Sequence, residues 1–207
     1  VLDAVECPPT FSTNINMVQA IIAGGSQAMF KSIENAEDQE KEAIEIVKSK
    51  VKQEDTIIGI SANGSAKFVL SGLKEAKKIK ATTCLITSND ILCPNYIKHI
   101  IPIVVGPEII SGSTRMKAGS ATKMVLNMIT TTSMIKLNKT YGNLMVDLSI
   151  SNNKLKDRAI RIISQLTLQN KIKSEQLLKN ANGNVKIAII MYKQSVDSNE
   201  AERLLVK

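Results

Sequence analysis

The chain contains few aromatic residues and a single histidine. Its 207 residues include three Tyr, three Phe and no Trp. A core must therefore be built from Ile, Val, Leu and Met, and a hydrophobic content of 43% is sufficient for one. This composition excludes a wholly disordered polypeptide. His99 matches no motif, and we interpret it as a surface or packed residue and not as a catalyst.

Cysteine is also scarce, and long apolar runs are absent. Cys7, Cys84 and Cys93 are odd in number and are not spaced as metal ligands. They predict reduced thiols in a cytoplasmic protein with no bound metal. No apolar run approaches about 18 residues, and no basic segment followed by an apolar one opens the chain. We expect a soluble intracellular protein with no membrane partner.

Positive charge exceeds negative charge, with a formal net charge of +8 and a pI near 9.4. Such a balance is compatible with nucleic acid or small anionic substrates as partners. The lysines and arginines are scattered, however, and no aromatic residues are interleaved with them. We interpret them as solvated helix faces and expect no nucleic-acid partner.

Apolar segments alternating with helical patterns predict an α/β fold. The predicted strands are 17–23, 56–60, 82–87 and 100–105, and the predicted helices between them are 26–35, 40–50 and 66–79. Strand, helix and strand at this spacing indicate right-handed crossovers and a parallel sheet. Ligands bind such sheets at the carboxyl ends of the strands. The loops after the four strands should share that rim.

The second half of the chain is predicted to be helical. A long helix over 113–137, with Ser113 as N-cap, carries methionines that we assign to the core: Met116, Met124, Met128 and Met134. Helices at 155–166 and 174–181 follow, and Asp197 or Ser198 can cap a last one. The segment 185–192 fits a helix or a strand. We predict one domain over residues 1–150 and a small helical subdomain over 151–207.

Two carboxylates, Glu6 and Glu37, are candidates for acid/base chemistry. Both are predicted in turns or at helix ends beside a strand. From the residues alone, Glu6 beside Pro8 and Pro9 is equally well a turn residue. Glu37 is equally well a solvated residue like its acidic neighbours Glu34, Asp38 and Glu40.

Two segments are candidate ligand-binding elements. The loop 61–66 lies between a strand and a helix, where backbone N–H groups suit an anion; its candidates are Ser61, Asn63, Gly64 and Ser65. A plain turn with Ser65 as N-cap is the alternative. The second segment contributes Glu108, Ser113, Arg115 and Lys117. Cations at a helix N-terminus suggest either a bound anion or an intramolecular pair with Glu108.

Four blocks together carry a resemblance to a known family. They are V-L-D-A-V-E-C-P-P-T-F, A-G-G followed by E-N-A-E-D, V-G-P-E-I-I-S-G-S-T-R-M-K-A-G-S-A-T-K-M-V-L-N-M, and Y-G-N-L-M-V-D. In this order they resemble the N-acetylmuramic acid 6-phosphate etherases of the sugar isomerase (SIS) superfamily.

The resemblance implies a three-layer αβα sandwich of the SIS type around a five-stranded parallel sheet, with a small C-terminal helical subdomain. It also implies a homodimer with active sites near the subunit interface, a phosphosugar substrate, and no metal or organic cofactor. In the family a strand ending in G-T-S-G-R precedes V-L-D-A. We therefore expect a chain truncated at both ends, with the first strand of the sheet missing.

The resemblance further implies a reaction, the cleavage of the lactyl ether of N-acetylmuramic acid 6-phosphate. It maps Glu6 to the acid that protonates the departing lactate and Glu37 to the base. The commoner family loop, A-S-G-R-T-P-Y, differs here at Asn63, Ser65, Ala66 and Lys67. These departures leave an alternative function: a non-catalytic phosphosugar-binding regulator similar to the glucokinase regulatory proteins.

Overall fold

The computed structural model describes residues 1–206, which form eight α-helices and three strands. In chain order these are α1 (Leu2–Phe11), α2 (Glu40–Lys50), β1 (Thr56–Ile60), α3 (Lys67–Lys78), β2 (Thr82–Thr87), β3 (His99–Pro102), α4 (Lys117–Lys136), α5 (Asn153–Thr167), α6 (Lys171–Asn180), α7 (Val185–Gln194) and α8 (Ser198–Val206). Short 3-10 turns occupy Gly25–Met29 and Ala36–Asp38. The predicted α/β class is confirmed.

The chain divides into two compact units. The central unit is Ile21–Leu126, and the terminal unit combines Val1–Ala20 with the residues from Asn127 onward. The central unit holds the sheet, and α5 to α8 belong to the terminal unit.

The sheet of the central unit is parallel, in the order β1-β2-β3. The middle strand, β2, is buried at every position from Thr83 to Thr87, as expected for a parallel strand covered on both faces. Helix α3 packs on β1 and β2, and α2 packs on α3. The predictions for β1, β2, α2 and α3 are confirmed, whereas the predicted strand 100–105 occupies His99–Pro102.

The terminal unit has an aliphatic core inside its helices. Leu155, Ile163, Leu178, Val185 and Ala188 are among its buried residues. Most of its helices begin at a side-chain cap. Asn152, Asn170 and Asn184 accept hydrogen bonds from backbone N–H groups three residues on, at 2.9, 3.0 and 3.1 Å. Asp197 does the same for Glu200 at 2.9 Å, as predicted. The ambiguous segment 185–192 is helical.

The predicted strand over 17–23 and helix over 26–35 are wrong. Residues 17–23 form no strand, and the side chain of Met17 is 52% exposed. The backbone turns at once afterwards, because Gly24 and Gly25 have φ angles of 79° and 67° and the Gly25 N–H bonds the Ile22 carbonyl. Only a 3-10 turn follows, over Gly25–Met29.

The prediction for the start and the packing of α4 is also wrong. Ser113 lies in a turn, and the helix begins at Lys117. Of the four methionines assigned to the core, only Met134 is buried; Met116, Met124 and Met128 are 55%, 65% and 64% exposed. A periodic apolar stripe identifies a helix face, but it does not show what covers that face.

No helix among residues 1–206 has both the length and the apolar character needed to cross a bilayer.

The close packing of α3 on β1 generates a stability prediction. A Cβ at Gly59 would lie 2.6 Å from Val69 Cγ1 and 2.7 Å from Leu73 Cδ1. Gly59→Ala should therefore lower the free energy of unfolding by about 1–3 kcal/mol through overpacking. Urea denaturation followed by circular dichroism measures the change.

Gly72 in α3 is the matched control. A Cβ there would lie 3.5 Å from Val47 Cγ2, an ordinary contact. Gly72→Ala should raise stability by about 0.5–1 kcal/mol, because alanine is the better helix former. Equal effects of the two substitutions would contradict the packing described for β1.

Candidate functional site

Glu6 lies in a helix and not in the predicted turn. Helix α1 spans Leu2–Phe11 although Pro8 and Pro9 lie inside it. The Glu6 side chain is exposed, while the adjacent Cys7 is buried at 3% exposure. Burial, with the nearby charges of Asp3 and Glu6, raises the pKa of the Cys7 thiol. The thiol therefore stays protonated, which disfavours Cys7 as a nucleophile.

Glu37 lies in the 3-10 turn Ala36–Asp38, and the residues that follow it make two polar contacts to α3. Asp38 Oδ1 pairs with Lys67 Nζ at 3.3 Å, and Ser71 Oγ donates to Glu40 Oε2 at 3.1 Å. Ala36 beneath the turn is buried. These contacts hold the exposed Glu37 carboxylate beside the first turns of α3.

The loop 61–66 is braced by its own side chains. Ser61 is buried, and its hydroxyl accepts from the Ala66 N–H at 3.2 Å and donates to Asn63 Oδ1 at 3.1 Å. The same Asn63 oxygen accepts from the Ser65 N–H at 3.1 Å. Gly64 turns the chain with a φ of 76°. Ser61 and Asn63 thus shape the loop, while the exposed Ser65 hydroxyl and the Lys67 ammonium face outward.

Ser65 is not the N-cap of α3. The helix begins at Lys67, after Ala66, without a side-chain cap. The N–H groups of its first residues are the donors that an anion would meet. Lys67 adds a cation to the same helix end.

Glu108 bonds to backbone N–H groups and forms no ion pair with the Arg115 or Lys117 side chain, so the intramolecular charge pair that the sequence left open is not observed within residues 1–206. Its carboxylate oxygens accept from the N–H groups of Ala118 and Lys117, both at 3.0 Å. These hydrogen bonds lower the pKa of Glu108. Lys117 Nζ donates to the Pro107 carbonyl at 2.8 Å, and the Ser113 N–H donates to the Ile110 carbonyl. Arg115 is exposed and makes no ion pair within residues 1–206.

The central unit therefore contains Glu37, the loop 61–66, Lys67 and the Glu108–Lys117 segment, and the terminal unit contains Glu6. A cleft of about 620 Å³ in the terminal unit is lined by residues 146–150 and by parts of α6 and α7, none of them a predicted site residue. Residues 1–206 include no cluster of three His, Cys, Asp or Glu side chains suited to a metal ion.

Sequence reasoning missed Asp3 and Asp38. Asp3 accepts hydrogen bonds from two α4 side chains, and Asp38 holds Lys67. The signal for Asp3 was its spacing of three residues from Glu6, which places both on neighbouring positions of a helix. The helix was not predicted, because prolines such as Pro8 and Pro9 are unfavourable inside helices.

Two family models match parts of the chain. Residues 2–77 match the N-terminal SIS domain of glucokinase regulatory protein, and residues 142–198 match the C-terminal lid domain of the same protein. With the parallel sheet and the helices from α5 onward, these matches bear out the predicted SIS-type fold with a C-terminal helical subdomain.

Curated relatives match along the whole chain. An N-acetylmuramic acid 6-phosphate etherase of Clostridium acetobutylicum is 52% identical over 99% of the chain and 68% of its own length. An etherase of Bacillus licheniformis is 49% identical, and one of Histophilus somni 47%, each over 100% of the chain and 69% of the relative. This chain belongs to the N-acetylmuramic acid 6-phosphate etherase family.

Proposed function

We propose that the protein is a carbon–oxygen lyase that cleaves the D-lactyl ether of N-acetylmuramic acid 6-phosphate. The products are N-acetylglucosamine 6-phosphate and D-lactate, in the recycling of cell-wall amino sugars. The observation that carries the proposal is 52% identity with an etherase over 99% of the chain. Glu6 and Glu37 belong to the blocks through which the chain resembles that family.

The reaction requires one base and one acid. In the open-chain sugar the proton on C2 lies next to the aldehyde, so a base can remove it. The electron pair is first held as an enolate, which can take back a proton from solvent at C2. It then forms the C2–C3 double bond as the C3–O bond to lactate breaks, and an acid protonates the departing oxygen. Water adds across the double bond, with its hydroxyl on C3 and a proton on C2. Positioned carboxyl groups perform both proton transfers without a cofactor.

We assign the base to Glu37 and the acid to Glu6. Glu37 is supported by its position beside α3, where Asp38 and Glu40 fasten its turn to Lys67 and Ser71. Glu6 is supported by an exposed carboxylate on a helix whose opposite side is buried through Cys7 and Phe11. We propose that the two carboxylates act in successive steps of one reaction.

We assign the 6-phosphate to the loop 61–66 and the start of α3. The free helix N–H groups and the Ser65 hydroxyl supply donors, while Ser61, Asn63 and Gly64 shape the loop. Lys67 supplies the charge. In its ion pair with Asp38, the Lys67 side chain is 60% exposed and the Asp38 side chain 51% exposed. Such surface pairs contribute about 1 kcal/mol or less, so a phosphate dianion can compete for Lys67.

The segment 108–117 is proposed to bind the rest of the substrate. Arg115 offers an unpaired guanidinium within the described residues, whereas Glu108, Ser113 and Lys117 hold the start of α4 and its preceding turn. An ionised carboxylate at Glu108 still accepts hydrogen bonds from sugar hydroxyls.

A non-catalytic regulator is the less favoured alternative. Its support is the name of the two matching domain models and the altered loop at Asn63, Ser65, Ala66 and Lys67. The etherase relatives, at 47–52% identity over the chain, outweigh it. A regulator also has no use for two acid/base groups.

We further propose an SIS domain over residues 1–150 followed by a helical subdomain over 151–207. Support for the subdomain comes from the lid model over 142–198.

We also propose a cytoplasmic homodimer with active sites near the subunit interface. Support for an interface comes from the exposed Met124 and Met128 of α4, since contiguous exposed apolar side chains favour association.

The role of Glu6 predicts a selective loss. Glu6→Gln in the intact protein should lower D-lactate release roughly 100-fold or more, because general acid catalysis contributes about 10²–10⁴-fold. Substrate binding should persist, and so should exchange of the C2 hydrogen with solvent. Coupled lactate detection and NMR in deuterated water measure both. The exposed Glu54→Gln is the control, and undiminished lactate release by Glu6→Gln would refute the assignment.

Glu37 should be needed for the earlier step. Glu37→Gln is expected to lower both C2 exchange and lactate release by about 10²–10⁴-fold, because no base then removes the proton. Glu34→Gln, three residues upstream and also exposed, is the matched control. Normal exchange in Glu37→Gln, or an equal loss in Glu34→Gln, would remove Glu37 as the base.

In the substrate complex Lys67 should act on the phosphate, which then replaces Asp38 as its partner. Lys67→Ala is expected to raise KM roughly tenfold or more with little change in kcat, because one hydrogen bond to a charged group is worth about 1.5–3 kcal/mol. Binding of N-acetylmuramic acid without phosphate should be unaltered. Lys74→Ala, on the same helix, serves as control. A loss of affinity shared by the unphosphorylated sugar would contradict the phosphate role.

A further inference from the structure

Helix α1 lacks two of the backbone hydrogen bonds of a regular helix. Pro8 and Pro9 lie inside it, and proline has no N–H to donate. The carbonyls of Ala4 and Val5 therefore lack the usual donor four residues on. Val1, before the first turn, provides no side-chain cap. Tertiary contacts must fix the direction of the helix and the position of Glu6.

Asp3 makes a polar tertiary contact that holds the first turn of α1. Its Oδ1 atom accepts from Asn127 Nδ2 at 2.7 Å and from Thr130 Oγ1 at 3.0 Å. Both donors lie on α4, three residues apart and so on one side of that helix. They are separated from Asp3 by 124 and 127 residues. Hydrogen bonds to an ionised acceptor are short and directional, so they fix position more strictly than apolar contacts do.

An apolar contact lies further along the same pair of helices. Cys7 and Phe11 of α1 form a buried cluster with Met134 of α4. Between these two residues of α1, the Pro9 carbonyl accepts from the Ser149 N–H at 3.3 Å. The polar contact at Asp3 precedes Glu6 by three residues, and the apolar one begins immediately after it. Glu6 thus lies in a segment that contacts α4 both before it, at Asp3, and after it, at Cys7.

From this arrangement we propose that Asp3 is the positioning residue for Glu6. Its carboxylate fastens the first turn of α1 to Asn127 and Thr130, and this sets the direction in which the acid points. The inference rests on the proposed function, in which Glu6 protonates the departing lactate. Asp3 itself does not touch the substrate in this scheme.

If Asp3 positions Glu6, its loss should change the kinetics in a way that a general loss of stability would not. A misplaced acid slows the departure of lactate but leaves removal of the C2 proton by Glu37 intact. In Asp3→Ala, the ratio of C2 exchange to lactate release should therefore rise at least about tenfold, since displacement of about 1 Å can cost roughly 100-fold in rate. KM should stay within about twofold.

Asp3→Asn supplies the conservative rescue. Its amide oxygen can still accept from Asn127 and Thr130, so its ratio of exchange to release should stay within about threefold of the original. Asp3→Ala combined with Asn127→Ala should give the same ratio as Asp3→Ala alone, because Asp3→Ala already removes the hydrogen bond between these two residues. Ile163→Val, in the core of the terminal unit and away from α1, is a control for mild destabilisation and should leave the ratio unchanged.

The experiment uses the intact protein, with D-lactate release and C2 deuteration measured in the same reaction. If Asp3→Ala does not fold, Thr130→Val removes one of the two donors at nearly constant volume and should shift the ratio in the same direction by a smaller factor. An unchanged ratio in the folded variant, or an equal defect in Asp3→Asn, overturns the inference. Failure of the proposed function is separate, because the unsubstituted protein would then release no D-lactate at all. Failure of the Glu6 assignment alone would appear as normal release by Glu6→Gln.

Discussion

Burial of β2 on both faces is the constraint on which the central unit depends. Its Thr83 and Thr87 are 0% and 1% exposed, so their hydroxyls must find partners inside the protein. Thr83 donates to the Tyr96 carbonyl at 2.8 Å and accepts from the Lys98 N–H at 3.0 Å, which fixes the chain entering β3. Thr87 donates to the Ala62 carbonyl at 3.2 Å. The strand thereby anchors the loop that we assign to phosphate binding.

The segments that carry the proposed acid and the proposed base are held by different kinds of contact. The turn that carries Glu37 is fastened by exposed polar pairs, which are individually weak and easily rearranged. The helix that carries Glu6 is fastened by a carboxylate with two donors and by a buried cluster of Cys7, Phe11 and Met134. Because the Asp38–Lys67 pair is weak, a phosphate could displace Asp38 from Lys67 at little cost in free energy. The second resists displacement because both of its contacts lie partly or wholly out of water.

The sequence predicted the elements whose pattern reflects burial or capping. Strands β1 and β2, helices α2 and α3, and the cap at Asp197 follow from apolar runs and turn residues. The sequence-based prediction failed where the apolar or turn-like pattern of a segment does not match the contacts that the segment makes in the fold. The run 17–23 reads as a buried strand but has no neighbouring strand within residues 1–206, and Pro8 and Pro9 suggested a turn where α4 stabilises a helix. Contacts across more than 120 positions, such as Asp3 with Asn127, leave no local trace.

The carboxylate of Glu108 at the start of α4 has an electrostatic consequence. By accepting from the first two N–H groups of that helix, it places a negative charge where the helix dipole is positive. A second anion arriving there would be repelled, whereas hydroxyl groups would find unused lone pairs. The protein thus has two helix beginnings that differ electrostatically. The start of α3 has no side-chain cap and is the one to which we assign the phosphate, whereas the start of α4 is already neutralised and suited to uncharged donors.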